Sequence, residues 1–288
     1  MALPPGFDLY VESMAIHATA IVNPGVTLGN DVEIGPFCIL ESGVVIGDGT
    51  VLESHVVVHK GVRMGAGCRV HPFCVIGDLP QYIGFDAGIS SGVTIGDGTT
   101  LREGVTIHRS IYPDQSTVVG AKNYLMANSH VAHDCVLEDN VVLTNGVLLA
   151  GHVHVATRAY IGGAAALHQF VRVGEGAVVG GMSTITQDIA PFLMVTGRDE
   201  VNGLNLVGLK RRGLSREVIK DLKACFHALF DVPGNIRQQA ALLRESGSMG
   251  RTPEAQIFLS FFEGGKRGFA GLKRRNRGSG VSAEGDTE

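Results

Sequence analysis

The sequence has no tryptophan, and aromatic residues make up only 6% of its 288 positions. Beside 40 glycines, that is an odd balance for an ordinary globular protein. Charged residues are also scarce at 18%, yet hydrophobic residues at 44% exclude disorder over the whole length. No apolar run approaches the ~18 residues of a membrane span. The start, MALPPGFDLYVES, lacks the charged and apolar regions of a secretory signal. The five cysteines (38, 68, 74, 135 and 225) form no C-x-x-C pair and are odd in number. Reduced thiols and a cytoplasmic location are expected rather than a disulfide framework. No phosphate-binding glycine loop stands in a strand–turn–helix context, and no nucleic-acid partner is expected.

What is abundant is glycine, with 40 residues and no collagen-like three-residue period. The period is six. Aliphatic residues recur at Ile16, Val22, Leu28, Ile34, Leu40, Ile46, Leu52, Val58, Met64, Val70 and Ile76. After one slip of phase the series resumes at Ile95, Leu101 and Ile107, meets Pro113, and runs from Val119 to Ile185. Neither a helical period nor strand alternation produces a strict six. Such hexads predict a parallel β-helix, mainly β, in which three hexads close an 18-residue coil and the coils stack at strand spacing, ~4.8 Å. Glycine follows the aliphatic station at 29, 35, 47, 65, 77, 96, 120, 162, 174 and 180. There it is expected to supply the positive φ of a tight corner.

The prism is expected over 11–190, with residues 77–92 and 109–118 inserted as loops on the outside. Beyond Pro191 the hexads stop. A C-terminal α-helical domain is expected over 191–263, with a helix capped by Ser215 and further helices at about 235–246 and 253–263. It would cover the open β edge of the last coil. Residues 264–288 read as a flexible basic tail. Charge is unevenly distributed. Residues 1–190 hold 8 Lys and Arg against 17 Asp and Glu, whereas 191–288 hold 16 against 11. The basic C-terminal part suits an anionic partner or substrate, though a solvated helical surface would look the same.

Of eleven histidines, ten fall within the repeats, most densely in Asn128–Cys135, NSHVAHDC. Residues 18 apart should stack, which places Asp134 over His152 and His133 over Gly151. An imidazole beside a carboxylate can act as a general base, and a glycine N–H can receive a developing oxyanion. Turn and surface histidines on a repetitive scaffold are the competing reading. A zinc site like that of γ-class carbonic anhydrases would need three converging nitrogens. His130 and His133 lie too close in sequence for both to face one point, so no metal is expected. Lys210-Arg211-Arg212 is a candidate phosphate clamp or a solvated patch.

Ile107-His108-Arg109, NSHVAHDC, Leu149-Ala150-Gly151-His152, Leu167-His168-Gln169-Phe170 and Gly208-Leu209-Lys210-Arg211-Arg212-Gly213 occur in this order. Together they closely resemble the acyl-carrier-protein-dependent UDP-N-acetylglucosamine O-acyltransferases of lipid A biosynthesis, over about residues 11–263. The resemblance implies a homotrimer of left-handed parallel β-helices with sites between subunits, and no cofactor. The reaction it implies moves a 3-hydroxyacyl chain from acyl carrier protein to the glucosamine 3-hydroxyl. It casts His133 as base, Asp134 as its orienting partner and Gly151 as oxyanion donor. Gln81, His130, His152, His168 and Gln169 would line the substrate site, with Asn205, Arg211 and Arg212 holding the nucleotide. Gly181 would be the acyl-chain ruler. One departure stands out. The family's Gln-Asp-Leu-Lys-Tyr segment is here Gln81-Tyr82-Ile83-Gly84-Phe85, without the aspartate and lysine, which leaves the 3-amino analogue open as acceptor.

Overall fold

The computed structural model describes residues 16–272. Aliphatic side chains placed every six residues reach a dry interior only if successive turns stack, and the backbone stacks them. Two-residue strands such as Glu33–Ile34, Ile39–Leu40 and Val45–Ile46 follow one another around a triangular prism. Each pairs in parallel with the strand one coil further on, so Ile39 faces Val57 and Val131 faces Leu149. A first face of nine strands runs from Ile21–Val22 to Thr184–Ile185, and a second of eight from Thr27–Leu28 to Arg172–Val173. The third, of eleven, begins at Glu33–Ile34. The architecture is a left-handed parallel β-helix followed by helices.

The stations from Ile34 onward form the core, with Leu40, Val58, Val131 and Leu149 fully buried. At the N-terminal mouth the ladder opens, and Ile16 is 41% exposed. Pro113, the single non-aliphatic station, lies exposed in a loop. A second buried row, not anticipated from the period, stands two residues before the stations. It holds small side chains such as Val56, Thr99, Ser129 and Ala159. Four of the five cysteines (38, 68, 74 and 135) belong to it, so they are packing residues and all are free thiols. Burial raises the Cys135 thiol to about 12, which removes it as a nucleophile.

The role expected for the glycines after the stations is corrected. Of the ten, only Gly77 has a positive φ. The left-handed residue stands three positions after the station, as at Gly25, Asp31, Phe37 and Gly43. Glycine follows the station because the next coil passes too close. A Cβ on Gly47 would sit 2.5 Å from the carbonyl carbon of Gly65, and one on Gly162 2.5 Å from the nitrogen of Gly181.

The prism also runs past residue 190. Leu193–Thr196 pairs in parallel with Val178–Val179 and then folds back antiparallel on Glu200–Leu204. The region expected to be helical from 191 thus begins with strands, which use the unpaired edge of the third face. Helices follow at α1 (Leu206–Arg211), α2 (Arg216–Phe230), α3 (Ile236–Ser246) and α4 (Pro253–Ser260). Ser215 caps α2 through Val218 N–H, while α1 was not anticipated. Within residues 264–272, expected to begin a flexible tail, Phe269 bridges Asp188 and the chain folds back onto the prism. Ala270 is buried, and Gly271–Leu272 adds a parallel strand to Glu200–Val201, satisfying an edge that would otherwise lie open. Residues 11–15 and 273–288 of the expected prism and tail lie outside the described residues.

Candidate active site

The edge between the first and second faces gathers most of the residues singled out by sequence. The first-face strand His130–Val131 delivers His133 and Asp134 to this corner, and Leu148–Leu149 delivers Gly151 and His152 one coil on. Ala166–Leu167 then brings His168 and Gln169, both exposed, onto the following coil. The 18-residue arithmetic holds, since the His152 N–H donates to the His133 carbonyl across the stack.

His133 and Asp134 are in direct contact, with Nδ1 2.8 Å from the carboxylate Oδ2. That hydrogen bond directs Nε2 away from the carboxylate. The carboxylate is further held by the Ser110 hydroxyl, 2.5 Å from Oδ1, and by the Ile111 N–H, 3.3 Å from Oδ2. Burial alone would raise the Asp134 pKa. The hydrogen bonds from His133, Ser110 and Ile111 outweigh it, and the carboxyl stays below its ordinary range. The His133 imidazole lies against Gly151. A Cβ there would stand 2.5 Å from Cε1 and 2.7 Å from Nε2 of the imidazole, so only glycine lets the ring settle. Among the described residues no acceptor takes the Gly151 N–H. An imidazole with a free nitrogen beside an unclaimed backbone donor is an arrangement suited to acyl transfer.

The neighbouring His130 and His152 are both shifted toward the neutral form. Burial pushes His130 down to about 4, with the His108 and His133 imidazoles acting in the same direction. Its Nδ1 is 2.7 Å from Thr106 Oγ1, and its ring packs edge-on to His108 at 4.7 Å. Burial likewise lowers His152, against the pull of Asp134. His152 stacks on Phe170 at 4.5 Å, and Lys266 lies over the other ring of that pair at 5.3 Å from the Phe170 centroid.

Both inserted segments leave the first face at this same edge. The strands Val75–Asp78 and Gly92–Ile95 trim the first loop to residues 79–91, and Thr106–His108 and Ser116–Val119 trim the second to 109–115. The first brings Tyr82 to 6.4 Å from the His133 ring, and the second brings Tyr112 to 5.9 Å from His152. Gln81 is exposed and makes no hydrogen bond among the described residues. Asp86 closes a turn by accepting from the Gly88 N–H at 2.8 Å, and so is engaged within its own loop. Ser110, Tyr112 and Lys266 carry no period or motif that would have marked them.

Other expected residues lie elsewhere. Asn205 caps α1 through Gly208 N–H and donates to the Gly176 carbonyl. With Arg211, Arg212, Arg158 and Phe192 it lines a pocket of about 220 Å³ at the edge between the second and third faces. Arg212 is already paired with Glu175 at 2.5 Å, while Arg211 is exposed. Gly181 stands at the remaining edge, exposed, where an added Cβ would meet only the Gly163 carbonyl oxygen at 3.3 Å and its nitrogen at 3.7 Å. Among the described residues, one trio brings possible metal-ligand atoms within 4.8 Å of one another: His133, Asp134 and His152. This donor set is two imidazoles and a carboxylate, not three imidazoles. Within it, His133 Nδ1 and Asp134 Oδ2 are joined by their own hydrogen bond.

Residues 43–78 and 116–151 match the profile of the bacterial transferase hexapeptide. The stacked hexads, with an imidazole beside a backbone donor at one edge, define a hexapeptide-repeat acyltransferase. Residues 188–270 match the family described as UDP-N-acetylglucosamine O-acyltransferase, domain 2. The acyl-[acyl-carrier-protein]–UDP-N-acetylglucosamine O-acyltransferase of Sinorhizobium fredii is 42% identical over 82% of this chain and 88% of its own length. The enzyme of the same name from Thermodesulfovibrio yellowstonii is 43% identical over 88% and 98%. This chain belongs to the acyl-[acyl-carrier-protein]–UDP-N-acetylglucosamine O-acyltransferase family. Among solved structures, the UDP-N-acetylglucosamine acyltransferase of Francisella novicida is similar with a TM-score of 0.84 at 32% identity, over 91% of this chain and 95% of that one.

Proposed function

We propose that the protein transfers a 3-hydroxyacyl chain from acyl carrier protein to the 3-hydroxyl of UDP-N-acetylglucosamine, the first step of lipid A biosynthesis. The observation that carries this reading is the His133 imidazole, tied to Asp134 through Nδ1 and lying against the Gly151 backbone. Nε2 takes the proton of the sugar hydroxyl as its oxygen attacks the thioester carbonyl. The Gly151 N–H receives the charge on the tetrahedral oxygen. Collapse breaks the carbon–sulfur bond, and the departing thiolate takes the proton back from the imidazolium. The thioester is itself a substrate, so no separate cofactor enters these steps. Gly181 fits an acyl ruler because glycine leaves its edge open, and the basic C-terminal part suits the acidic carrier.

Turnover assays with a 3-hydroxyacyl carrier and, side by side, UDP-N-acetylglucosamine and its 3-amino analogue test this reading. A site built around one hydrogen-bonding group can reject an analogue lacking it by up to ~10⁴–10⁵-fold, so the two acceptors should separate widely. The hydroxyl substrate is expected to win. Preference for the amine would overturn the acceptor while leaving acyl transfer in place.

The site requires a second subunit. Within one chain the base stands at the edge between the first and second faces, whereas Asn205, Arg211 and Arg212 stand at the edge between the second and third. A ring of three prisms brings unlike edges together, which supports a homotrimer with shared clefts. Co-expression of His133→Ala chains with Arg211→Ala chains should then restore activity that neither variant has alone, because some mixed clefts carry both native residues. Mixed assemblies without restored turnover would sink the shared site.

A further inference from the structure

The hydrogen bond from Ser110 to Asp134 joins two segments far apart in the chain. Ser110 is fully buried in the second inserted loop, and its hydroxyl is 2.5 Å from Oδ1, the oxygen that does not face His133 Nδ1. The same hydroxyl accepts the Tyr112 N–H at 3.0 Å, and its single hydrogen favours the carboxylate at 2.5 Å over the Tyr112 carbonyl at 3.4 Å. Ser110 is itself anchored from both backbone ends. Its N–H donates to the Gly92 carbonyl at 3.3 Å, and its carbonyl accepts the buried Ser91 hydroxyl at 2.6 Å. Ser91 and Gly92 are where the first inserted loop returns to the prism, so the two loops are tied together directly behind the carboxylate. Asp134 itself has a left-handed backbone (φ 59°), and its N–H goes to Thr117 Oγ1 at 2.8 Å. The carboxylate's rotation is set by its own partners, the Ser110 hydroxyl, the His133 ring and the Ile111 N–H.

We infer that Ser110 is a positioning residue for acyl transfer: it locks the Asp134 carboxylate so that Oδ2 meets His133 Nδ1, and couples that lock to the closure of both inserted loops. A carboxylate held at one oxygen only can swing about its terminal torsion, which is broad and roughly two-fold. Held at Oδ1 by a hydroxyl and at Oδ2 by Ile111 N–H, it presents one fixed edge to the imidazole. Ser110 touches neither substrate nor reacting atom in this scheme. It acts through Asp134, and the inference rests on the reading of His133 and Asp134 as the base and its orienting partner.

The test is a double-mutant cycle in the full-length protein with acyl carrier protein and UDP-N-acetylglucosamine. Ser110→Ala should lower kcat on the order of ten-fold, the size of one lost hydrogen bond to a charged group, with KM for the sugar nucleotide little changed. Ser110→Cys, near in volume but a poor donor, should lose as much and covers the case in which the alanine variant fails to fold. In an Asp134→Ala background neither substitution should cost anything further, because no carboxylate remains to be positioned. A second ten-fold loss there would show that Ser110 serves only the fold and would overturn the inference. So would native kcat in the Ser110 variants when Asp134→Ala is impaired. If Asp134→Ala itself turns over normally, the base-and-partner reading fails, and the inference falls with it for that separate reason.

Discussion

Replacing His133 with alanine is expected to lower kcat by about 10²–10⁴-fold, the usual contribution of a positioned general base. The loss should appear without unfolding. The His133 side chain retains 17% exposure on the outside of the prism, whereas the core stations Val131 and Leu149 that carry the local packing lie inside and are untouched. The thermal midpoint and assembly mass should match the native protein. Removing the imidazole also removes the T-shaped contact with His152 at 5.2 Å, an interaction at the surface of the edge. Steady-state kinetics on a folded His133→Ala assembly decide the matter. Near-native turnover there would end the assignment of His133 as the base, whatever the family implies.

Gly151→Ala is expected to be almost as damaging, on the order of 10²-fold in kcat, although it adds a single methyl group and keeps the backbone N–H. The cause is position. Gly151 does not have a positive φ, so its backbone would accept alanine, but the new Cβ would stand 2.5 Å from His133 Cε1. A stiff ring held to Asp134 cannot yield there without giving up that hydrogen bond. The methyl thus displaces the His133 imidazole rather than the Gly151 N–H, and the two substitutions should not add. In a His133→Ala background, Gly151→Ala should cost little more, since the ring it displaces is gone. Full additivity in the double variant would show that Gly151 contributes through something other than room for the imidazole.

The six-residue period and the 18-residue coil are local properties, and the sequence by itself determined their direct consequences. The aliphatic stations, the parallel stacking, and the meeting of His133 with Gly151 and of Asp134 with His152 could all be counted along the chain. Each depends only on equal path length around successive coils. The α2 cap at Ser215 was equally legible, because capping is settled within three residues. The same counting mistook the glycines after the stations for left-handed corners. Their cause is the approach of another coil, which no single coil reveals. Counting also stops at an insertion, where path length is no longer equal. For that reason only the tertiary structure placed Tyr82 and Tyr112 over the histidines, engaged Asp86 in its own turn, and set Ser110 against Asp134. It alone brought Gly271–Leu272 back as an added strand and Lys266 onto Phe170. Apart from the Asp86 turn, those contacts join segments distant in the chain without periodic register. They are decided by which loop can fold back, pair an open edge and satisfy its buried polar groups, and that competition exists only once the prism has formed.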